Sequence, residues 1–238
     1  MNHELIHQNW ENLSVAQRLQ QAGQWDKVVF STSFGKQDQM ITDNIARENL
    51  KIDIFTLDTG RFFPETYQLW DETVKKYQIK IKAFAPQAQD IQDYVEQYGI
   101  NGFYDTLDAR KKCCFIRKVA PLQQALQGYD YWISGLQRCH SENRADLPFA
   151  EYDDNLKIIK LYPLADVSDD ALEAYIQEHH VPINQLHKNN FPSIGCQPCT
   201  RAIEPHEPAR AGRWWWEQST QECGLHIVNG KLVRKNGA

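Results

Sequence analysis

The sequence has no apolar run near the roughly 20 residues that a helix needs to cross a bilayer, so no helical membrane span is expected. Its first residues, MNHELIHQNWENLS, lack the basic-then-apolar order of a secretory signal, which points to a cytoplasmic chain. Positive charge is not in excess. Against 31 Asp and Glu stand 26 Lys and Arg, giving a net charge of −5. Sequence-independent nucleic-acid binding needs a basic surface, so that class is disfavoured, although a local basic pocket is not. There is no internal repeat and no low-complexity block. No cysteine occurs before Cys113, the first of six. In a reducing compartment, an even count of this kind points to metal binding or thiol chemistry rather than disulfides.

What is present suits an ordinary soluble core. The chain has 238 residues, 42% of them hydrophobic, which allows one large domain or a domain with a tail. Strand-like runs occur at residues 27–32 (KVVFST), 52–58 (IDIFTLD), 80–84 (KIKAF) and 131–135 (YWISG). Amphipathic stretches fall at about 37–49, 63–78, 88–98 and 115–127. Strands alternating with helices predict an α/β fold with a mostly parallel sheet flanked by helices. Such sheets bind ligands beyond the carboxyl ends of their strands. Ser31, Ser33, Leu57 and Gly135 stand at those ends. From Pro192 onward the chain reads as an irregular arm. The expected division is a nucleotide-binding unit over 1–200 and a C-terminal arm over 201–238.

Two loops look fit to hold an anion. After the first strand comes STSFGKQDQ, whose small residues let the backbone approach a phosphate ahead of a helix N-terminus. It is not a Walker A loop. It resembles the modified loop Ser-Gly-Gly-x-Asp-Ser of the adenine-nucleotide α-hydrolase-like superfamily. Here Phe34 replaces a glycine and Gln39 follows the aspartate, a change that weakens a pyrophosphate cradle. After the second strand comes LDTGRFFPETY, with a turn at Asp58-Thr59-Gly60 and a planar donor in Arg61.

The cysteines form two pairs, Cys113-Cys114 and Cys196-Gln197-Pro198-Cys199, about eighty residues apart. Four thiolates can hold a tetrahedral zinc ion or an iron–sulfur cluster. The adjacent pair suits a 4Fe–4S cluster, which can place neighbouring sulfurs on different irons. Unligated thiols, or a redox-active Cys196/Cys199 pair, are the alternatives. Lys111, Lys112, Arg117 and Lys118 flank the first pair and can offset the charge of a thiolate cluster. Cys139 fits neither pair and reads as a packing residue. Cys223, in TQECGLH, lies near Arg210, Arg213 and His226, and a cationic neighbourhood raises the thiolate fraction.

Taken together, LDTGRFFPETY, the two cysteine pairs, RAGRWWWE and the final ECGLH resemble the thioredoxin-dependent assimilatory adenylyl-sulfate reductases. The resemblance covers nearly the whole chain. It implies a 4Fe–4S cluster on Cys113, Cys114, Cys196 and Cys199. It implies adenylyl sulfate as substrate, near Lys118, Arg144, Arg210, Arg213 and His226. It further implies Cys223 as nucleophile, an S-sulfocysteine intermediate and thioredoxin as reductant. Gln137 stands where the family commonly has arginine, which bears on recognition of a 3′-phosphate. The rival readings are a reductase that also accepts the 3′-phosphorylated substrate, an ATP-dependent sulfurtransferase, and a non-enzymatic zinc module. The run RWWW can anchor the arm or form a docking or lid surface. A homo-oligomer is compatible with all of this.

Overall fold

The β-branched run after Lys27 opens a six-stranded sheet in this computed structural model, which describes residues 2–140 and 144–217 and two short strands beyond them. The sheet strands are β1 (Val28–Ser31), β2 (Asp53–Leu57), β3 (Lys82–Phe84), β4 (Tyr131–Ile133), β5 (Ala150–Asp153) and β6 (Ile158–Leu161). Their order is β3-β2-β1-β4-β6-β5. The first five in that order run parallel, and β5 closes the edge antiparallel to β6. The four strands expected from sequence are all present, each slightly shorter than its apolar run.

The central strands β1, β2 and β4 are covered on both faces, as parallel strands usually are, while the edge strand β3 is largely exposed. Val28 and Phe30 face one apolar cluster, together with Ile54 and Ile133. Val29, Phe55 and Trp132 face the other. Eight α-helices accompany the sheet among the described residues: α1 (His3–Trp10), α2 (Val15–Ala22), α3 (Lys36–Arg47), α4 (Pro64–Tyr77), α5 (Ala88–Tyr98), α6 (Leu107–Cys114), α7 (Ala120–Ala125) and α8 (Asp169–Glu178). Three of the four expected helices appear as α3, α4 and α5. The fourth, expected at 115–127, is the second half of a longer rod. That rod starts at Leu107, carries Cys113 and Cys114 in its last α-turn, and passes through a π-helical segment, Phe115–Val119, into α7. Elements without a counterpart in the sequence reading are α1, α2, the β5–β6 hairpin and α8.

The N-terminal helices are locked on by one side chain. Arg18 in α2 is 2% exposed. It donates to Trp10 O at 2.9 Å, to Pro163 O at 2.8 Å and, fork to fork, to Asp166 at 2.6 and 2.8 Å. Its guanidinium lies 4.1 Å from the centre of the Phe149 ring. Arg18→Ala is expected to cost about 2–3 kcal/mol, since it removes a fork pair and strands buried carbonyls. A urea-unfolding midpoint indistinguishable from that of the unchanged chain would show that α1 and α2 do not depend on it.

Candidate functional site

β1 pairs with β2 on one side and β4 on the other. Strand order therefore reverses beside β1, and the carboxyl-end crevice there is the expected ligand position. Ser31, Leu57 and Gly135 all lie at this edge, as expected. Ser31 Oγ accepts from Trp132 Nε1 at 2.8 Å. Leu57 is half-buried and packs with Phe55 and Trp132. A Cβ on Gly135 would stand 2.5 Å from Asp38 Oδ1, so this position needs glycine to let the loop after β4 approach α3.

The loop after β1 has turned its donors inward. Ser33 donates both its backbone N–H and its hydroxyl to Asp38 Oδ2, at 2.6 and 2.8 Å. Asp38 is buried, and burial raises its pKa against those hydrogen bonds. The Asp38 carboxylate thus occupies the donors of Ser33 at the start of α3. Phe34 adopts φ +61° and stacks on Trp70 at 5.5 Å, while Gln39 is buried and donates to Thr73 Oγ1 and Pro182 O.

Beside this edge lies a third apolar cluster, off the sheet. It contains Tyr94, Phe103, Cys113, Ile116, Cys196, Cys199 and Trp214. Cys113, Cys114, Cys196 and Cys199 line one cavity with Arg61, Arg117, Lys118 and Trp214. Adjacent cysteines on a helix point about 100° apart. The π-helical segment that follows the pair carries Arg117 and Lys118 into the same cavity; such segments often mark functional sites. Lys111 and Lys112, expected to share in charge compensation, are exposed instead.

The thiols feel one another. Burial, then the charges of Cys196 and Cys114, push Cys199 up to about 12, with Lys118 opposing. Burial raises Cys113 as well, with Arg117 opposing. Tyr94, whose buried hydroxyl has no partner, is pushed up to about 12 by burial and by Cys113. Buried thiols of this kind ionise together only when a metal takes the protons' place. Among the described residues, no group of three or more His, Cys, Asp or Glu side chains is placed to hold a metal ion. The described cysteines are all free. By the chemistry of the donor set, the four thiols in an apolar shell with cations at its wall fit an iron–sulfur cluster, whose four irons take thiolates at separate corners.

The cavity is fastened to the β2 loop. Cys196 Sγ lies 3.4 Å from Thr59 Oγ1 as donor, Arg117 donates to Thr59 O at 2.6 Å, and Gln197 N donates to Arg61 O at 2.8 Å. Thr59 was not singled out as a site residue by sequence, because its partners Cys196 and Arg117 lie 137 and 58 positions away, and Arg117 was read as a counter-charge without this carbonyl partner.

The remaining expected ligands are placed differently. Arg144 is half-buried, and its charge acts on Tyr162, the residue after β6. Arg210 is half-buried and its carbonyl accepts from Arg213 N at 2.9 Å. Arg213 is 6% exposed and is not a wall of the cavity. It donates to Ser193 Oγ and Ile194 O, both at 3.3 Å, and its ring contact is Trp214 at 4.8 Å. Cys139 is exposed, where a buried packing residue was expected, and its thiol lies 3.7 Å from Val167 O. Cys223 and His226 lie outside the described residues. Of the tryptophans in RWWW, Trp214 is buried in the cysteine cluster, whereas Trp215 is 39% exposed.

The arm begins as a clasp on the second cysteine pair. Thr200 bridges Arg213, Arg201 N donates to Gly212 O at 3.0 Å, and Trp214 N donates to Cys199 O at 3.2 Å. A Cβ on Gly212 would stand 2.2 Å from Arg201 O, a backbone atom that cannot swing aside. Gly212→Ala is therefore expected to cost about 2 kcal/mol or more and to open the clasp. Limited proteolysis checks it: new cleavage within residues 201–217 is the expected result, and a wild-type digest would refute the clasp.

Residues 27–202 match the family described as the phosphoadenosine phosphosulfate reductase domain. A protein named adenosine 5′-phosphosulfate reductase from Agrobacterium fabrum is 49% identical over 88% of this chain and 81% of its own length. One of the same name from Allochromatium vinosum is 49% identical over 84% of this chain and 79% of its own length. Among solved structures, phosphoadenylyl-sulfate reductase from Candida auris, in a phosphate complex, aligns with a TM-score of 0.71 at 26% identity, covering 83% of this chain and 96% of that one. Sheet order, crevice and sequence agree, and the chain belongs to the phosphoadenosine phosphosulfate reductase family.

Proposed function

We propose that this protein reduces adenylyl sulfate to sulfite and AMP in sulfate assimilation, with thioredoxin as electron donor. The observation that carries the reading is the fastening of the four-cysteine cavity to the loop after β2, at the strand edge where a nucleotide binds. The names of the relatives supply the substrate. Adenylyl sulfate is favoured over its 3′-phosphorylated form because the departure at Gln137 is neutral and buried. Gln137 is 0% exposed, donates to Val167 O and accepts from Gln37 Nε2 at 3.0 Å.

In this reading Cys113, Cys114, Cys196 and Cys199 hold a 4Fe–4S cluster. When bound, the cluster supplies a rigid anionic anchor around which the basic residues are ordered. Zinc is the weaker choice, because a single ion needs its donors to converge at about 2.3 Å from one point. Lys118 stands at the cavity wall, where an ammonium can neutralise a phosphosulfate. Ser31, Ser33, Leu57 and Gly135 bound the nucleotide; Arg144, Arg210, Arg213 and His226 complete the anion's surroundings. Arg213 does so through the position of its neighbours, since it is set back from the cavity wall with its Nη1 on Ser193 and Ile194.

The Cys223 thiolate attacks the sulfur of adenylyl sulfate. An S–S bond forms, the S–O bond breaks, and AMP leaves with the electron pair. A thioredoxin thiolate then attacks Cys223 Sγ, and sulfite departs with the electrons of the broken S–S bond. The second thioredoxin thiol closes the disulfide and frees Cys223. Two thiols are oxidised for each sulfur reduced. Free thiols in every described cysteine suit a cytoplasmic setting, and no helix is long and apolar enough to cross a membrane among the described residues. The nucleotide-binding unit is assigned to 1–200 and the arm to 201–238.

Anaerobic sulfite release with thioredoxin, from adenylyl sulfate and its 3′-phosphorylated form side by side, tests the reading. A strong preference for adenylyl sulfate is expected. Comparable rates would make the enzyme dual-specific, and no sulfite from either would overturn the proposal. Cys223→Ser should abolish sulfite while leaving AMP binding intact. Serine at any one of the four cluster cysteines should remove the iron–sulfur absorption. Lys118→Ala should slow turnover by about a hundredfold to a thousandfold with folding unaffected, the range for losing one preorganised donor; unchanged kinetics would remove Lys118 from the site.

A further inference from the structure

Arg110 stands one helical turn before Cys114, on the same face of α6. It is the partner of Glu217, the last described residue before the chain runs on to Cys223. Arg110 Nε donates to Glu217 Oε1 at 2.7 Å and Nη2 to Glu217 Oε2 at 2.9 Å, a fork-to-fork pair. The two side chains are 13% and 12% exposed, so salt screens the pair little. The same guanidinium lies 5.2 Å from the Trp214 ring and hydrogen-bonds Cys114. Glu217 N also donates to Trp214 O at 2.9 Å. One cation therefore joins the first cysteine pair, the buried tryptophan of the clasp and the exit of the arm.

We propose that the Arg110–Glu217 pair is a positioning device that fixes the point from which the chain delivers Cys223 to the substrate. This rests on the reading of Cys223 as the nucleophile. Cys223 is six residues past Glu217, a span of at most about 20 Å. Without the pair, the last residue packed on a distant part of the chain is Trp216, edge-on to Tyr104 at 4.6 Å, and the span becomes about 24 Å. The pair thus shrinks the volume open to the nucleophile and orients its approach. It does not touch the reacting atoms. Because the same guanidinium touches Cys114, assembly of the cysteine site and delivery of the nucleophile share one contact.

The experiment uses the full chain with its cluster and three variants: Glu217→Gln, Glu217→Asp and Cys223→Ser. Glu217→Gln keeps the shape and loses the charge. Its kcat is expected to fall about tenfold, as for a misplaced reacting group, with KM for adenylyl sulfate within about twofold. Iron per chain should stay at the wild-type value, and alkylation of Cys223 by iodoacetamide, read by mass spectrometry, should become at least about twofold faster as its reach grows. Glu217→Asp should recover most of the lost kcat. A Glu217→Gln enzyme with normal kcat overturns the proposal. So does a loss of iron in step with the loss of kcat, because the pair would then serve only the cysteine site. An active Cys223→Ser instead fails the reading of the nucleophile, whatever the Glu217 variants do.

Discussion

Four thiols in one apolar shell carry a charge problem that the surrounding structure is arranged to meet. Burial and mutual repulsion raise Cys113 and Cys199. The opposing charges come from Arg117 and Lys118, about one turn of helix past the cysteine pair. A buried cation needs hydrogen bonds as well as counter-charge. Arg117 finds one in Thr59 O, and Cys196 Sγ reaches the hydroxyl of the same threonine. Compensation of charge thereby draws the β2 loop, the α6–α7 rod and the second cysteine pair onto one residue. The site is attached to the sheet by the interactions that make burying the thiols tolerable.

The crevice beside β1 complements this arrangement by being short of free cations. Asp38 takes the donors of Ser33, Lys36 pairs with Glu173, and Gln37 meets the neutral Gln137. A loop of this kind is suited to hold the adenosine end of a ligand by shape and backbone contact. Positive charge is instead concentrated at the cysteine cavity, through Arg61, Arg117 and Lys118. Charge therefore rises along the edge from the β1 loop toward the cysteine cavity, a gradient that orients anions.

The parts legible in the sequence are those in which local pattern and tertiary role coincide. Val28–Ser31 and Asp53–Leu57 are β-branched and apolar because both their faces are covered, α3 carries apolar Met40, Ile41 and Ile45 at helical spacing within a stretch buried all round, and α4 buries Thr66, Leu69 and Thr73 as a stripe. The helix that carries Cys113 and Cys114 was hidden, since LDARKKCC buries only Ala109 and Cys113 and has no apolar face to read. Its signal was the Thr106 cap, which accepts from Ala109 N at 3.1 Å. For α8, Ser168 followed by two acids and then Leu172 and Ile176 was a readable start. The pairing of the cysteines into one site was legible from spacing and resemblance. The partners of Arg213, Arg117 and Arg110 were not, because an arginine's sequence neighbours do not reveal whether its fork meets solvent, a carbonyl or a carboxylate; only the counter-charge of Arg117 was read.

Where the arm begins follows from the same contacts. A boundary at residue 200 is crossed by the Thr200–Arg213 bridge, by Arg201 with Gly212 and by Trp214 with Cys199. Two close approaches make that clasp tight: Gly212 against Arg201 O, and Gly195 against the Arg213 guanidinium, where a Cβ would come within 2.2 Å. Residues 201–217 are thus folded as the outer wall of the cysteine site, and Trp214 belongs to its core. Trp214 shares an apolar cluster with Cys113, Cys196 and Cys199 and donates to Cys199 O, and Glu217 is bonded to both Trp214 and Arg110. The cysteine site and the residues that lead out of it are therefore held by one continuous set of contacts.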